Sequence, residues 1–353
     1  MSYHFVKPNA ERPQYLPSET VDFIIKYDTM NLVPHVRISG TLHTTVADGV
    51  KKIYIDGMTG ADSLFQYFTT SLNGMVVESL NEYPRYVRMK QGANQTPTQN
   101  VQLASNICSL RVSDSLQTKQ LLFGAGDRAV SFSVVPDICL NNANRPLNFK
   151  KDGEVKITFQ LPVVSKVLFG DDVGEATYHL TDLQLEYRLV KAQSPSKPLE
   201  MIVKQMVRQT LNSNHTTLGV IIPIPSHSVA MSVIKVSNEA DVKYNALTGE
   251  YIKVDSLEFL FNDNNAMGLA YPLENDEEII YNYLKTFNGT LNNSVGYSQL
   301  VPASTKENNW GFGIEYGAYI KNKKVTLDIQ SEDVDGGDNK LSCYMYFKGL
   351  ISV

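Results

Sequence analysis

The sequence predicts an all-β protein of two antiparallel sandwiches in series, with one short helix in each. Three observations support this. Strands of regular alternation close both halves of the chain, a proline-rich stretch separates the halves, and the order strand, turn, helix, closing strand occurs twice.

The first closing strand opens the stretch Leu180 to Pro198. Leu183, Leu185, Tyr187 and Leu189 alternate with Asp182, Gln184, Glu186 and Arg188, the period of two of a strand with one dry and one wet face. It runs into Gln193-Ser194-Pro195-Ser196-Lys197-Pro198. Proline cannot donate to a ladder and nothing in this stretch is apolar, so it reads as a short stiff joint. The second closing strand alternates Leu341, Cys343, Met345 and Phe347 with Ser342, Tyr344, Tyr346 and Lys348. These features divide the chain into an extended N-terminal arm (1–20), a first domain (21–193), the joint (194–198) and a second domain (199–353).

In order, the arm carries Pro8, Pro13 and Pro17 with little periodicity, which predicts an extended path ordered only by lying on something else. Strands follow at 21–46, 52–56 and 63–71, the last ending at the turn dipeptide Asn73-Gly74. A helix is expected over 76–83, ended or kinked by Pro84. Further strands are expected at 107–112, 121–123, 130–135 and 155–161. In the second half, strands at 218–224, 229–236 and 254–261 precede a helix over 276–287, with Asn275 as N-cap and Glu277-Glu278 in its first turn. Strands near 312–320 and 325–329 and an acidic loop over 331–339 lead to the closing strand. Asp62-Ser63-Leu64 and Asp255-Ser256-Leu257 occupy matching places in this order, a faint echo of tandem duplication. Many short strands between turn signals indicate two sandwiches of the jelly-roll kind, eight strands to each.

Composition excludes several classes. At 353 residues, 42% hydrophobic and 20% charged, the chain is long enough for two cores. A net charge of -5 without any basic block argues against specific nucleic-acid binding. No apolar run approaches the ~20 residues of a membrane span, and the polar start is not a secretory signal. Cys108, Cys139 and Cys343 are few and far apart, fitting a reducing compartment or simple buried thiols better than a disulfide framework or a zinc site. The histidines show no metal-ligand spacing, and His43 and His179 fall at polar positions of alternating strands. Gly124 to Arg128 lacks the phosphate-loop lysine, and Gly311, Gly313 and Gly317 relieve a crowded or bent strand rather than cradle a dinucleotide. Asp333, Asp335 and Asp338 could hold Ca²⁺, with a solvated acidic turn as the default. No catalytic constellation, and no need for a cofactor, is legible.

The order of elements resembles the double jelly-roll major capsid proteins of the tectivirus–adenovirus lineage, which includes virophages and polinton-like viruses. The residues that carry the resemblance span nearly the whole chain. They are His35 to Leu42, Ile53 to Asp56 with Gly60 to Leu64, Glu78 to Tyr83, Phe132 to Asp137 with Leu140-Asn141, Tyr178 to Tyr187, Glu277 to Leu284 and Tyr344 to Leu350. The short loops depart from the larger members, which carry towers.

The resemblance implies a structural protein of the virion, made inside the host cell and not secreted. Homotrimers would form pseudo-hexagonal capsomers that tile an icosahedral shell, meeting penton or minor capsid proteins and an internal membrane where one is present. No enzymatic site is implied. Alternatives are a penton or minor capsid protein of the same kind of virus, or a two-domain carbohydrate-binding protein. Candidate interface residues are Tyr3, Phe5 and Tyr15 on the arm, expected to dock outside the subunit's own core, and Tyr281, Leu284 and Phe287 on one face of the second helix.

Overall fold

A computed structural model describes residues 2–27, 29–47, 53–55, 59–94, 121–123, 126–170, 176–195, 197–212, 217–236, 250–251, 256–261, 268–270, 276–287, 312–320, 324–330 and 340–353. The chain forms two compact units. One is Met1–Arg88 with Thr98–Lys204 and Leu350–Val353; the other is Met89–Pro97 with Gln205–Gly349. The division falls after Lys204; residues 192–195 and 197–199 lie outside strands.

The first unit holds β1 (Ser2–Val6), β2 (Thr20–Ile25), β3 (Met30–Val46), β4 (Ile53–Ile55), β5 (Tyr67–Leu72), β6 (Met75–Asn81), β7 (Leu121–Phe123), β8 (Gly126–Val134), β9 (Leu147–Asn148), β10 (Val155–Gln160), β11 (Phe169–Gly170) and β12 (Ala176–Lys191). One sheet runs β1-β12-β3-β8, with β9 also on β3, and the other runs β2-β10-β5-β6. A small third sheet is β11-β4-β7. With the minor strands set aside, the eight principal strands are ordered first-eighth-third-sixth and second-seventh-fourth-fifth. That is the jelly-roll topology.

The second roll is built from β13 (Glu200–Asn212), β14 (Thr217–Ile221), β15 (Ser226–Val236), β16 (Glu250–Tyr251), β17 (Ser256–Phe261), β18 (Gly268–Ala270), β19 (Phe312–Ile320), β20 (Lys324–Gln330) and β21 (Lys340–Ser352), of which Glu200–Lys204 and Leu350–Ser352 belong to the first compact unit. Its sheets run β13-β21-β15-β16, with β19 also on β15, and β14-β20-β17-β18. Without the two-residue β16, the rank order is the same, first-eighth-third-sixth and second-seventh-fourth-fifth. The fold is a double jelly roll.

Apolar alternation builds each core. In the first roll Val155, Ile157 and Phe159 of β10 are fully buried, as are Phe23, Phe65 and Phe68. Their rings meet edge to face, Phe65 on Phe159 at 4.9 Å and Phe68 on Tyr83 at 4.7 Å, the arrangement that aromatic quadrupoles favour. In the second roll the glycine expectation holds at Gly313 of β19. A Cβ there would lie 2.8 Å from the Asn282 carbonyl oxygen and from the Tyr283 Cα of the helix Asp276–Thr286, so only glycine lets helix and strand approach.

Three expectations are corrected. First, the N-terminal segment is not an arm outside the roll. Ser2–Val6 pairs antiparallel with Leu185–Leu189 and is the first of the roll's eight strands. Second, residues 76–83 are not a helix. Asn73 and Gly74 take φ of 48° and 79°, the two positive values of a tight hairpin turn, and the hairpin commits Met75–Asn81 to pair with β5. The helix is Tyr83–Asn94 (α1), with Pro84 in its first turn. Proline is suited to that place because its missing N–H would have no intrahelical partner there. Third, the Asp-Ser-Leu echo does not mark equivalent places. Asp62-Ser63-Leu64 lies in a 3₁₀ turn, Gly60–Leu64, whereas Ser256-Leu257 opens β17.

Candidate interaction surfaces

Two surfaces and one buried polar cluster stand out. The first surface is β1, at the edge of its sheet. Period-two alternation turns Tyr3 and Phe5 outward, 55% and 59% exposed. They lie opposite Arg188 and Glu186 of β12. The Arg188 guanidinium sits 4.7 Å from the centre of the Tyr3 ring, a cation–π contact. Glu186 is buried and ion-paired with Arg37 of β3, so the position that alternation makes wet is dry. His4 points the other way and stacks on Tyr187 at 5.5 Å. Tyr15 is different: it is 4% exposed and belongs to its own roll's core. Its backbone N–H and carbonyl both bond Leu180 at 2.9 Å, and its hydroxyl donates to the Ala10 carbonyl at 3.2 Å. Tyr15 therefore cannot anchor a neighbouring subunit while it holds this place.

The second surface is on the second roll's helix, Asp276–Thr286 (α2). Tyr281 is 50% exposed, but Leu284 and Phe287 are buried. Phe287 lies flat on Tyr346 of β21, with ring centres 4.9 Å apart and 8° between planes. Steps of three residues fall short of a helical turn by about 60° each, so Tyr281 and Phe287 point about 120° apart. The expectation of one face for all three is thus corrected. Leu284 and Phe287 cover their own sandwich and Tyr281 remains outside.

The buried polar cluster was not foreseen as a unit. Glu78 of β6 is buried, and its two carboxylate oxygens accept the backbone N–H of Cys139 at 2.7 Å and of Lys204 at 2.9 Å. Lys204 Nζ donates to Asp137 Oδ1 at 2.6 Å and to the Asp137 carbonyl at 3.0 Å. Tyr86 donates its hydroxyl to the same carboxylate. Tyr83 donates to Asp62 at 2.8 Å and accepts the Asp137 N–H at 3.0 Å. Burial, only partly offset by the Lys204 charge, raises the Glu78 pKa to about 7. Burial also pushes the Cys139 thiol well up, which makes it inert. Glu78 and Tyr83 bound one of the stretches that carry the sequence resemblance. Asp137 and Lys204, which complete the cluster, come from distant segments that no local pattern connects.

His43 and His179 are not simply solvent-facing. They pair directly across β3 and β12, stacked at 4.7 Å with 2° between rings. Burial, then the neighbouring His43, lowers the His179 pKa. Asp333, Asp335 and Asp338 lie outside the described residues. Among the described residues, no group of three His, Cys, Asp or Glu is placed to hold a metal ion.

No protein-family model matches the chain, and no curated protein is similar to it in sequence. Solved structures are similar. The major capsid protein of Faustovirus superposes with a TM-score of 0.67 at 9% identity, over 100% of this chain and 90% of that one. The structure of the Sputnik virophage gives 0.60 at 10% identity, over 100% and 86%. The mavirus major capsid protein gives 0.55 at 12% identity, over 98% and 86%. The shared property at such identities is the path of the chain: this protein has the double jelly-roll fold of viral major capsid proteins.

Proposed function

We propose that the chain is a major capsid protein that acts as a structural component of an icosahedral virion and catalyses nothing. The observation that carries this reading is the repetition of one eight-strand order in both units of a single chain. Two like rolls per subunit let a closed threefold oligomer present a near-sixfold outline, and such outlines tile a shell. In this reading three copies form a capsomer, capsomers meet one another and the penton or minor capsid proteins at the vertices, and an internal membrane lies beneath the shell in viruses that have one. Tyr3, Phe5 and Tyr281 are the exposed aromatic residues offered to those contacts, which are expected to bury over ~2,000 Å² per obligate interface.

Light scattering on the purified protein tests the reading, with negative-stain imaging of the same sample. A concentration-independent trimer with a hexagonal outline is the expected result. A monomer at micromolar concentration, or a monomer whose state changes only with added glycan, overturns it.

A further inference from the structure

The first strands of the two rolls hold the same topological rank but are seated differently. In the second roll's first strand, β13, Met201, Val203, Lys204 and Met206 are buried, the first three within the part of the strand that belongs to the first unit. In the first roll, no side chain of β1 is buried: its five residues alternate between half-buried and exposed. Beyond its backbone pairing with β12, β1 is held by surface contacts, Tyr3 under Arg188 and His4 on Tyr187 and Tyr27. It is joined to the roll through Pro8, which is buried, Asn9, whose N–H bonds the Asp22 carbonyl at 2.8 Å, and Ala10–Gln14, every residue of which is exposed. Beyond that stretch Tyr15 is buried and doubly bonded to Leu180.

We infer that β1 is an exchangeable strand whose partner in the assembled protein is the β12 edge of a second copy of this chain. The inference rests on the capsomer reading above. The occupant follows from the sequence itself. A slot that fits residues 2–6 at the register Val6 to Leu185 fits the same residues of any other copy. Exchange therefore loses no contact; each pairing broken in one subunit is remade in its neighbour. The balance is then set by the hinge and by effective concentration, which is high for neighbours within one oligomer. The five residues Ala10–Gln14 reach ~17 Å when extended, and Pro13 stiffens that path. A strand with no buried side chain is also the part of the roll with least to lose on opening.

Disulfide trapping tests this. Tyr3 and Arg188 lie directly opposite on the outer face, within the Cα separation a disulfide spans. One preparation carries Tyr3→Cys alone and a second carries Arg188→Cys alone, both with Cys108→Ser; Cys139 and Cys343 are buried. The two are co-assembled and oxidised, and the products are separated without reductant. A band of twice the chain mass, absent from either preparation oxidised alone, is the expected result. The doubly substituted chain is the control for register, and it must cross-link in either case. If it closes only within one chain and the mixture gives no dimer band, exchange is overturned. Light scattering on the same samples separates the two readings. Trimers with only intrachain links leave the capsomer and remove the exchange, whereas monomers remove both.

Discussion

Glu78 shows how one side chain can set the pH response of a roll. Its carboxyl is fully buried and its pKa stands near 7 rather than at its usual 4.5, so the folded state favours the proton. Below pH 4.5 both folded and unfolded chains hold that proton and the contribution is fully present. Between 4.5 and 7 the unfolded chain releases it first, and stability is lost as pH rises, by an amount on the order of a few kcal/mol. Glu78→Gln removes this dependence, and it destabilises the roll by ~1–3 kcal/mol because one backbone N–H then faces the amide nitrogen, which cannot accept it. Urea midpoints at pH 5 and pH 8 check both statements. The gap between parent and variant is expected to shrink at pH 8, and a gap that stays constant refutes the assignment. His179 acts in the opposite sense. Its pKa is lowered, so its contribution falls away as pH drops through 6.5. A smaller residue-level test is Gly349→Ala. The new Cβ would sit 2.1 Å from the Pro225 carbonyl oxygen, a backbone clash that is expected to lower the second roll's melting temperature, measured by calorimetry.

At the level of elements, α2 separates covering from docking. Phe287→Ala is expected to cost ~3–5 kcal/mol by opening a cavity over Tyr346, seen as an earlier denaturant midpoint. Tyr281→Ser, on the exposed side of the same helix, is expected to leave that midpoint within ~0.5 kcal/mol. Any effect of Tyr281→Ser on trimer dissociation, followed by light scattering on dilution, would then report an interface rather than a fold. A destabilised monomer from Tyr281→Ser would contradict the placement. These elements also show what was legible beforehand. The alternation of β10, β12 and β21 could be read directly, because one face of each is dry. Residues 76–83 were misread because Val76, Val77 and Leu80 also suit a helical stripe; the preceding Asn73-Gly74 hairpin was the stronger signal. The seating of β1 could not be read at all. None of its side chains is buried, and pairing with β12 gives them a place.

For the whole molecule, the sequence allowed two sandwiches to be counted but not the identity of their strand order. That order depends on partners far apart in the chain, such as Val6 with Leu185, or Ser226 with Gly349, which local pattern does not encode. The jelly-roll order also imposes a schedule. The first strand of each roll pairs only with the eighth, and β1 and β12 are separated by about 180 residues, the kind of distant pairing that makes folding slow. At 5–20 residues per second of synthesis, β1 waits roughly 10–40 s for its partner to emerge. Nascent chains stalled near residue 170 are therefore expected to remain protease-sensitive, and chains stalled some 40 residues beyond β12 to be resistant. Throughout that interval Tyr3 and Phe5 stand beside an unfilled edge. On a polysome crowded with identical chains, the first completed β12 within reach can belong to the ribosome ahead.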